Sequence, residues 1–154
     1  DRVVAGGGFL HGHTYASNPL SCAIGVAVMK EVVENDLIGN ARRMGEVLKS
    51  RLHALMEESP VVGDVRGLGL LQAIEIVADK ETKAIFPAER PAIARIVALG
   101  MERGLCLYSR RTAGGRYGEW LMITPPLTVT EAEIDEIMAL LTDTLAAFAA
   151  EALR

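Results

Sequence analysis

The sequence predicts an α/β protein of the α+β kind, a sheet layer with helices packed on one side. Three observations predict it. Short apolar runs of strand length occur at 61–65, 68–76, 105–108 and 120–124. Between them lie longer stretches whose apolar residues recur every three or four positions, the period of a helix with one buried face. Pro and Gly separate the two kinds of segment, and no internal repeat or low-complexity tract interrupts the alternation.

The chain opens with Gly6-Gly7-Gly8 and the loop Phe9-Leu10-His11-Gly12-His13-Thr14-Tyr15-Ala16-Ser17, then Asn18-Pro19. Asn is a favoured N-cap and Pro suits the first helical position, so a helix is expected from 19 to 34. Leu20, Ala23, Ile24, Ala27 and Val28 make that helix apolar nearly all round, and such a helix needs cover on several sides. A second helix is expected from Asn35 or Asp36, with Leu37, Ala41, Met44, Leu48, Leu52 and Leu55 inward and Arg42, Arg43, Glu46, Lys49 and Glu57 outward. Pro60 ends it.

Two strands follow, joined or interrupted at Arg66-Gly67, where Arg66 would sit in a turn. Residues 79–88 form a charged loop. Glu89-Arg90-Pro91 opens a helix carrying Ile93, Ile96, Val97 and Met101, and Gly104 closes it. A strand is expected over 105–108, a polar loop over 110–118, and a strand over 120–124 that Pro125-Pro126 stops. Thr130 and Glu133 have capping-box spacing, and Ile134, Ile137, Leu141, Leu145 and Phe148 run the last helix to about Ala152.

Composition narrows the function. The 154 residues are 50% hydrophobic and 23% charged, the balance of a globular chain, and a net charge of -4 disfavours nucleic acid or an anionic membrane as partner. The most apolar stretch, Leu20 to Met29, is far too short to span a bilayer, and no secretory signal is expected from Asp1-Arg2 and the Val and Gly residues that follow. Cys22 and Cys106 lack disulfide-framework or metal-site spacing and are expected as small buried residues in a reducing compartment. His11 and His13 have no third ligand nearby and His53 sits in a Leu-rich helix, so no metal site is expected. Lys30, Lys49, Lys80 and Lys83 are expected on the solvated surface.

The loop before Asn18 carries the chemistry. A helix start presents unpaired amides and the positive end of the helix dipole, which favour a phosphate or carboxylate, and the Thr14 hydroxyl adds a donor. The guanidinium groups of Arg110, Arg111 and Arg116 form the one local basic cluster, suited to holding a carboxylate through paired hydrogen bonds.

Residues 9–23 resemble the segment after the cofactor lysine in class III (omega) aminotransferases, pyridoxal-phosphate enzymes of fold type I. Asn18 departs from the pattern, standing where many members have His. The resemblance extends in family order through Val65-Arg66-Gly67-Leu68-Gly69-Leu70, Ala73-Ile74-Glu75, Pro125-Pro126-Leu127 and Thr130-Glu131-Ala132-Glu133-Ile134-Asp135. It implies the C-terminal portion of such an enzyme. Residues 1–34 would be the end of the large domain with its phosphate-facing loop and interdomain helix, and 35–154 the C-terminal small domain.

The same resemblance implies that Thr14, framed by His13 and Tyr15, reaches the cofactor phosphate of the neighbouring subunit in a homodimer or larger assembly. The Schiff-base lysine, the aspartate facing the pyridine nitrogen and the ring-stacking aromatic would all lie upstream, so no catalytic residue is expected within this chain and it would be inactive alone. The absence of an initiating Met agrees with a piece of a longer enzyme, expected to be cytoplasmic. Many family members place a substrate-carboxylate arginine before the Pro-Pro step. Counting back from Pro125, that position falls near Gly115; Arg116 is one residue away, while Arg110 and Arg111 need an inserted loop. The whole enzyme would move an amino group from an amine or omega-amino acid to a keto acid such as pyruvate or 2-oxoglutarate. A glutamate-1-semialdehyde aminomutase-like enzyme, a racemase-like member and a non-catalytic module derived from the small domain are the alternatives.

Overall fold

The computed structural model describes residues 2–8 and 11–153. The chain divides into two compact units between Asp36 and Leu37. In the first, the short helix α1 (Arg2–Ala5) precedes the loop, and helix α2 (Pro19–Glu34) follows it. Asn18 Oδ1 accepts the Ser21 amide at 3.1 Å and Pro19 takes the first turn, as the cap pattern predicts. No residue of α2 is buried, and Leu20, Ile24, Val28 and Met29 all stand exposed. Cys22 is exposed with them, contrary to the expectation of a buried thiol, because this helix has no covered face.

The second unit is a four-stranded antiparallel sheet in the order β1-β2-β4-β3 with three helices. Helix α3 (Leu37–Glu58) turns Leu48, Leu52 and Leu55 inward. The Lys80 ammonium donates to the Met56 carbonyl in the last turn of α3 and to that of Ser59 just beyond it; Lys83 likewise donates to the Gly63 carbonyl at 2.8 Å. These two lysines therefore fasten the 79–84 loop to the fold, a role their charged surroundings did not suggest.

Strands β1 (Val62–Leu68) and β2 (Leu71–Ile76) form a hairpin whose turn is at Gly69-Leu70, three residues beyond the expected break. Gly69 takes the left-handed conformation the turn requires (φ 55°), and Arg66 lies within β1 opposite Ala73. Helix α4 (Ala92–Glu102) ends in a Schellman motif, with the Leu105 amide donating to Gly100 O at 2.8 Å and the Gly104 amide to Met101 O at 3.1 Å. Leu105 thus finishes a helix rather than beginning a strand. Cys106, just after this cap, is exposed, against expectation. Strand β3 comes later than predicted, at Tyr108–Arg111, and β4 spans Glu119–Ile123.

Helix α5 (Glu131–Ala152) opens on the predicted capping box, the Glu133 amide donating to Thr130 Oγ1 and the Thr130 amide to Glu133 Oε2. Asn40 of α3 donates to the carbonyls of Leu127 and Val129, fixing the segment between Pro125-Pro126 and α5. The core lies between sheet and helices. Val65, Ile74, Ile76, Leu121 and Ile123 face Leu48, Leu52, Ile96, Ile134, Leu141 and Leu145. The alternate strand positions, Arg66, Ala73, Glu75, Tyr108, Arg110, Trp120 and Met122, are exposed or half-buried, the open face of a one-sided layer.

Candidate functional site

The sequence points to two places, one in each unit. In the first, residues 13–18 form consecutive turns: the Ala16 amide donates to His13 O at 2.9 Å and the Asn18 amide to Tyr15 O at 3.1 Å. Ser17 adopts a left-handed conformation (φ 62°), which brings the chain round to the N-cap. Thr14 sits at the first turn's leading corner and is exposed, as are His13 and Tyr15. The His11 and His13 rings meet edge to face at 4.6 Å. Phe9 and Leu10, which begin the motif, lie outside the described residues.

The donors here suit a phosphate oxygen. Among the described residues the Thr14 hydroxyl has no hydrogen-bond partner. Pro19 carries no N–H and the Ser21 amide is taken by Asn18, so the helix start leaves only its Leu20 amide near this turn. One hydroxyl and one amide on an exposed corner make an edge of a phosphate site rather than a closed cradle. Among the described residues, no three His, Cys, Asp or Glu side chains gather as a metal site.

In the second unit the three arginines part company. Arg111 turns to the buried face, where its Nη1 donates to Glu119 Oε1; Glu119 is fully buried and Arg111 is 18% exposed. Arg110, the next residue back, lies opposite Trp120 on the open face, its guanidinium 5.2 Å from the centre of the Tyr108 ring. Arg116 is exposed in the following loop, 5.4 Å from the Tyr117 ring. Arg111 is therefore engaged by a carboxylate of its own chain, while Arg110 and Arg116 present their cations outward over tyrosine faces.

The loop bearing Arg116 is tied at both ends. After β3, residues 112–115 form a short 3-10 turn. The Thr112 amide donates to Gly118 O at 3.3 Å, and Trp120 Nε1 to Thr112 Oγ1 at 3.3 Å. A side chain on Gly118 would lie 2.6 Å from Glu75 Oε1, so the loop returns directly over that carboxylate. Glu75 is itself held by Arg66 at 2.6 Å, and Arg66 also meets Asp64 at 2.9 Å. Arg66 and Glu75 thus pair across the open face of the sheet, from within β1 and β2 rather than from a turn. Glu119 was not singled out by the sequence. The signal was an acid beside Gly118, and it acquires meaning only once Arg110-Arg111 is read as a strand paired with 119–120.

The sequence family model "Aminotransferase class-III" matches residues 1–145, including both places. The chain belongs to the class-III aminotransferases. Among relatives of this class-III aminotransferase chain is the uncharacterized aminotransferase YodT of Bacillus subtilis, 36% identical over 142 residues, 92% of this chain and 32% of YodT. Ethanolamine-phosphate phospho-lyase homolog 1 of Caenorhabditis elegans is 36% identical over 133 residues, 86% of this chain and 27% of that protein. The solved taurine:2-oxoglutarate aminotransferase of Bifidobacterium kashiwanohense, in complex with PLP and glutamate, superposes with a TM-score of 0.78 at 29% identity, over 90% of this chain and 30% of its own. The class-III chain thus spans about a third of the length of its curated relatives. Among the described residues, it has no helix long and apolar enough to cross a membrane.

Proposed function

We propose that this chain is the C-terminal portion of a cytoplasmic pyridoxal-phosphate-dependent aminotransferase. The whole enzyme transfers an amino group from an amine or omega-amino acid to a keto acid such as pyruvate or 2-oxoglutarate. The observation that carries the reading is a family match running unbroken across the Thr14 turn and the four-stranded sheet.

In this reading residues 1–34 close the large domain and 35–154 are the small domain. Thr14 gives its hydroxyl to the cofactor phosphate of the neighbouring subunit in a homodimer, with His13 alongside. The exposed, unpartnered hydroxyl supports that role, since a group donated to another chain has no partner in its own. Pyridoxal phosphate, when bound, supplies the electron sink that makes bonds at the amine carbon labile. The substrate carboxylate is assigned to the 110–116 segment. Arg110 and Arg116 are placed to present a cation outward, and Arg111 is the least available because Glu119 holds it.

The family's Schiff-base lysine belongs upstream of the His11-Gly12-His13-Thr14-Tyr15 run, so these 154 residues do not transaminate by themselves. A second reading, phosphate elimination from a phosphorylated amine, is favoured by the phospho-lyase homolog's identity, equal to that of YodT. The full-length protein, supplied with pyridoxal phosphate, an amine panel and a keto acid, is expected to form the amino acid of that keto acid. Release of inorganic phosphate from ethanolamine phosphate without amino-acid formation would replace the transfer reading by elimination. Neither product would overturn both.

A further inference from the structure

We infer that Glu119 is a positioning residue for the substrate-carboxylate arginine: it fixes Arg111 on the buried face of the sheet and so leaves Arg110 as the outward cation of the pair. The inference rests on the reading that the 110–116 segment holds a substrate carboxylate.

Adjacent strand residues point to opposite faces, so one of two neighbouring arginines in β3 must turn inward. Register is ordinarily fixed by burying apolar side chains, and a slip of one residue exchanges the faces. β3 has little of that control. It is a four-residue edge strand whose inward positions are Ser109 and Arg111, with Leu107 before it as the nearest apolar anchor. Glu119 supplies the missing determinant. Its carboxylate lies opposite Arg111 in the β3–β4 register, fully buried, with Oε1 on the guanidinium and Oε2 unpartnered. A carboxylate in that position requires a cation beside it.

The surrounding loop is built over the pair. A side chain on Gly115 would lie 2.9 Å from Arg111 Nη2 and 2.7 Å from Ile85 Cδ1, so the backbone closes directly on the guanidinium. With Arg111 seated there, Arg110 is held against Trp120 and Tyr108, and the loop carrying Arg116 starts from a fixed point. Loss of the Glu119 charge frees Arg111 and with it the orientation of both outward cations.

The test uses the full-length enzyme. Glu119→Gln is expected to raise the KM for a keto acid about tenfold, the equivalent of one charge-assisted hydrogen bond, with kcat and the KM for a carboxylate-free amine unchanged. The double variant Arg111→Met/Glu119→Leu, which fills the buried face without charge, is expected to restore the keto-acid KM. Arg111→Lys keeps the charge on a single-point anchor; it gives a smaller rise and serves if Glu119→Gln does not fold. An unchanged KM in Glu119→Gln, with a raised KM in Arg110→Gln, overturns the positioning role and leaves the carboxylate reading standing. Failure of the double variant to recover also overturns the positioning role. Unchanged keto-acid KM in both Arg110→Gln and Arg116→Gln overturns the carboxylate reading, and the positioning role falls with it.

Discussion

Gly45 of α3 and Gly69 of the β1–β2 turn meet backbone to backbone: a methyl group on residue 45 would lie 2.5 Å from the Gly69 α-carbon. This contact sets how closely α3 approaches the hairpin. The neighbour is main chain and cannot swing aside. Gly45→Ala should therefore cost stability despite alanine's better helix propensity, by about 1–3 kcal/mol, the range for overpacking. A denaturant midpoint equal to or above the parent's would show that the helix can shift outward freely.

The start of α5 should respond to acid. The Thr130 amide, with the Thr130 hydroxyl, holds the Glu133 carboxyl below its ordinary value of 4.5. A carboxyl that ionises more readily in the folded state stabilises the fold above its unfolded value, and that contribution fades as pH falls through the folded one. The stability gap between the parent and Glu133→Ala should be full at neutral pH and close below 4.5. Thr130→Ala should cost about 1 kcal/mol at neutral pH through loss of the N-cap itself. Thermal melts across the acid range read both.

Removing one member of the Arg111–Glu119 pair should destabilise more than removing both. Glu119→Leu strands a cation on the buried face and should cost about 3 kcal/mol, the low end for a broken buried pair, because Arg111 retains some access to water. The double variant Arg111→Met/Glu119→Leu should recover most of that loss. Urea unfolding of the parent, both single variants and the double variant forms the cycle, and strict additivity would mean that the two residues do not interact.

For the Thr14 turn the expected effect is on cofactor retention. In the full-length enzyme, Thr14→Ala should release pyridoxal phosphate roughly tenfold faster on dilution, the loss of one hydrogen bond to a charged group, while Thr14→Ser should hold it. The visible absorbance of the cofactor after gel filtration reports this. Equal retention by Thr14→Ala would remove Thr14 from the phosphate site.

The elements readable in advance were those whose signals are local. The Asn18 cap of α2 and the Thr130–Glu133 box of α5 are read within one turn, because the groups that satisfy the helix amides lie three residues away. The hairpin break was misplaced because Gly67 and Gly69 flank one residue. Only the sheet, by pairing Gly67 with Gln72, shows which of them turns the chain. β3 was misplaced for a similar reason. The apolar run from Leu105 resembles a strand until its first amide is seen completing α4, and Arg110-Arg111 resembles a loop until Glu119 is opposite. In the candidate site, Thr14 stood out through its motif, whereas Glu119 drew its role from a partner across the sheet and from burial. Neither is written beside it in the chain.

The strand order carries a consequence for synthesis. The two inner strands of the sheet, β2 and β4, are separated by more than forty residues, and the outer strands are their hairpin partners. Each hairpin closes locally, so the sheet assembles by joining two ready-made halves along one seam, from Gln72 with Ile123 to Ile76 with Glu119. That seam is the sheet's own non-local step, the kind of contact that slows folding. Until residue 123 leaves the ribosome, β2 carries unpaired amides and carbonyls along one edge, an invitation to pair with the wrong strand. Chains halted between the hairpins should aggregate through that edge, whereas chains extended past it bring their own cover.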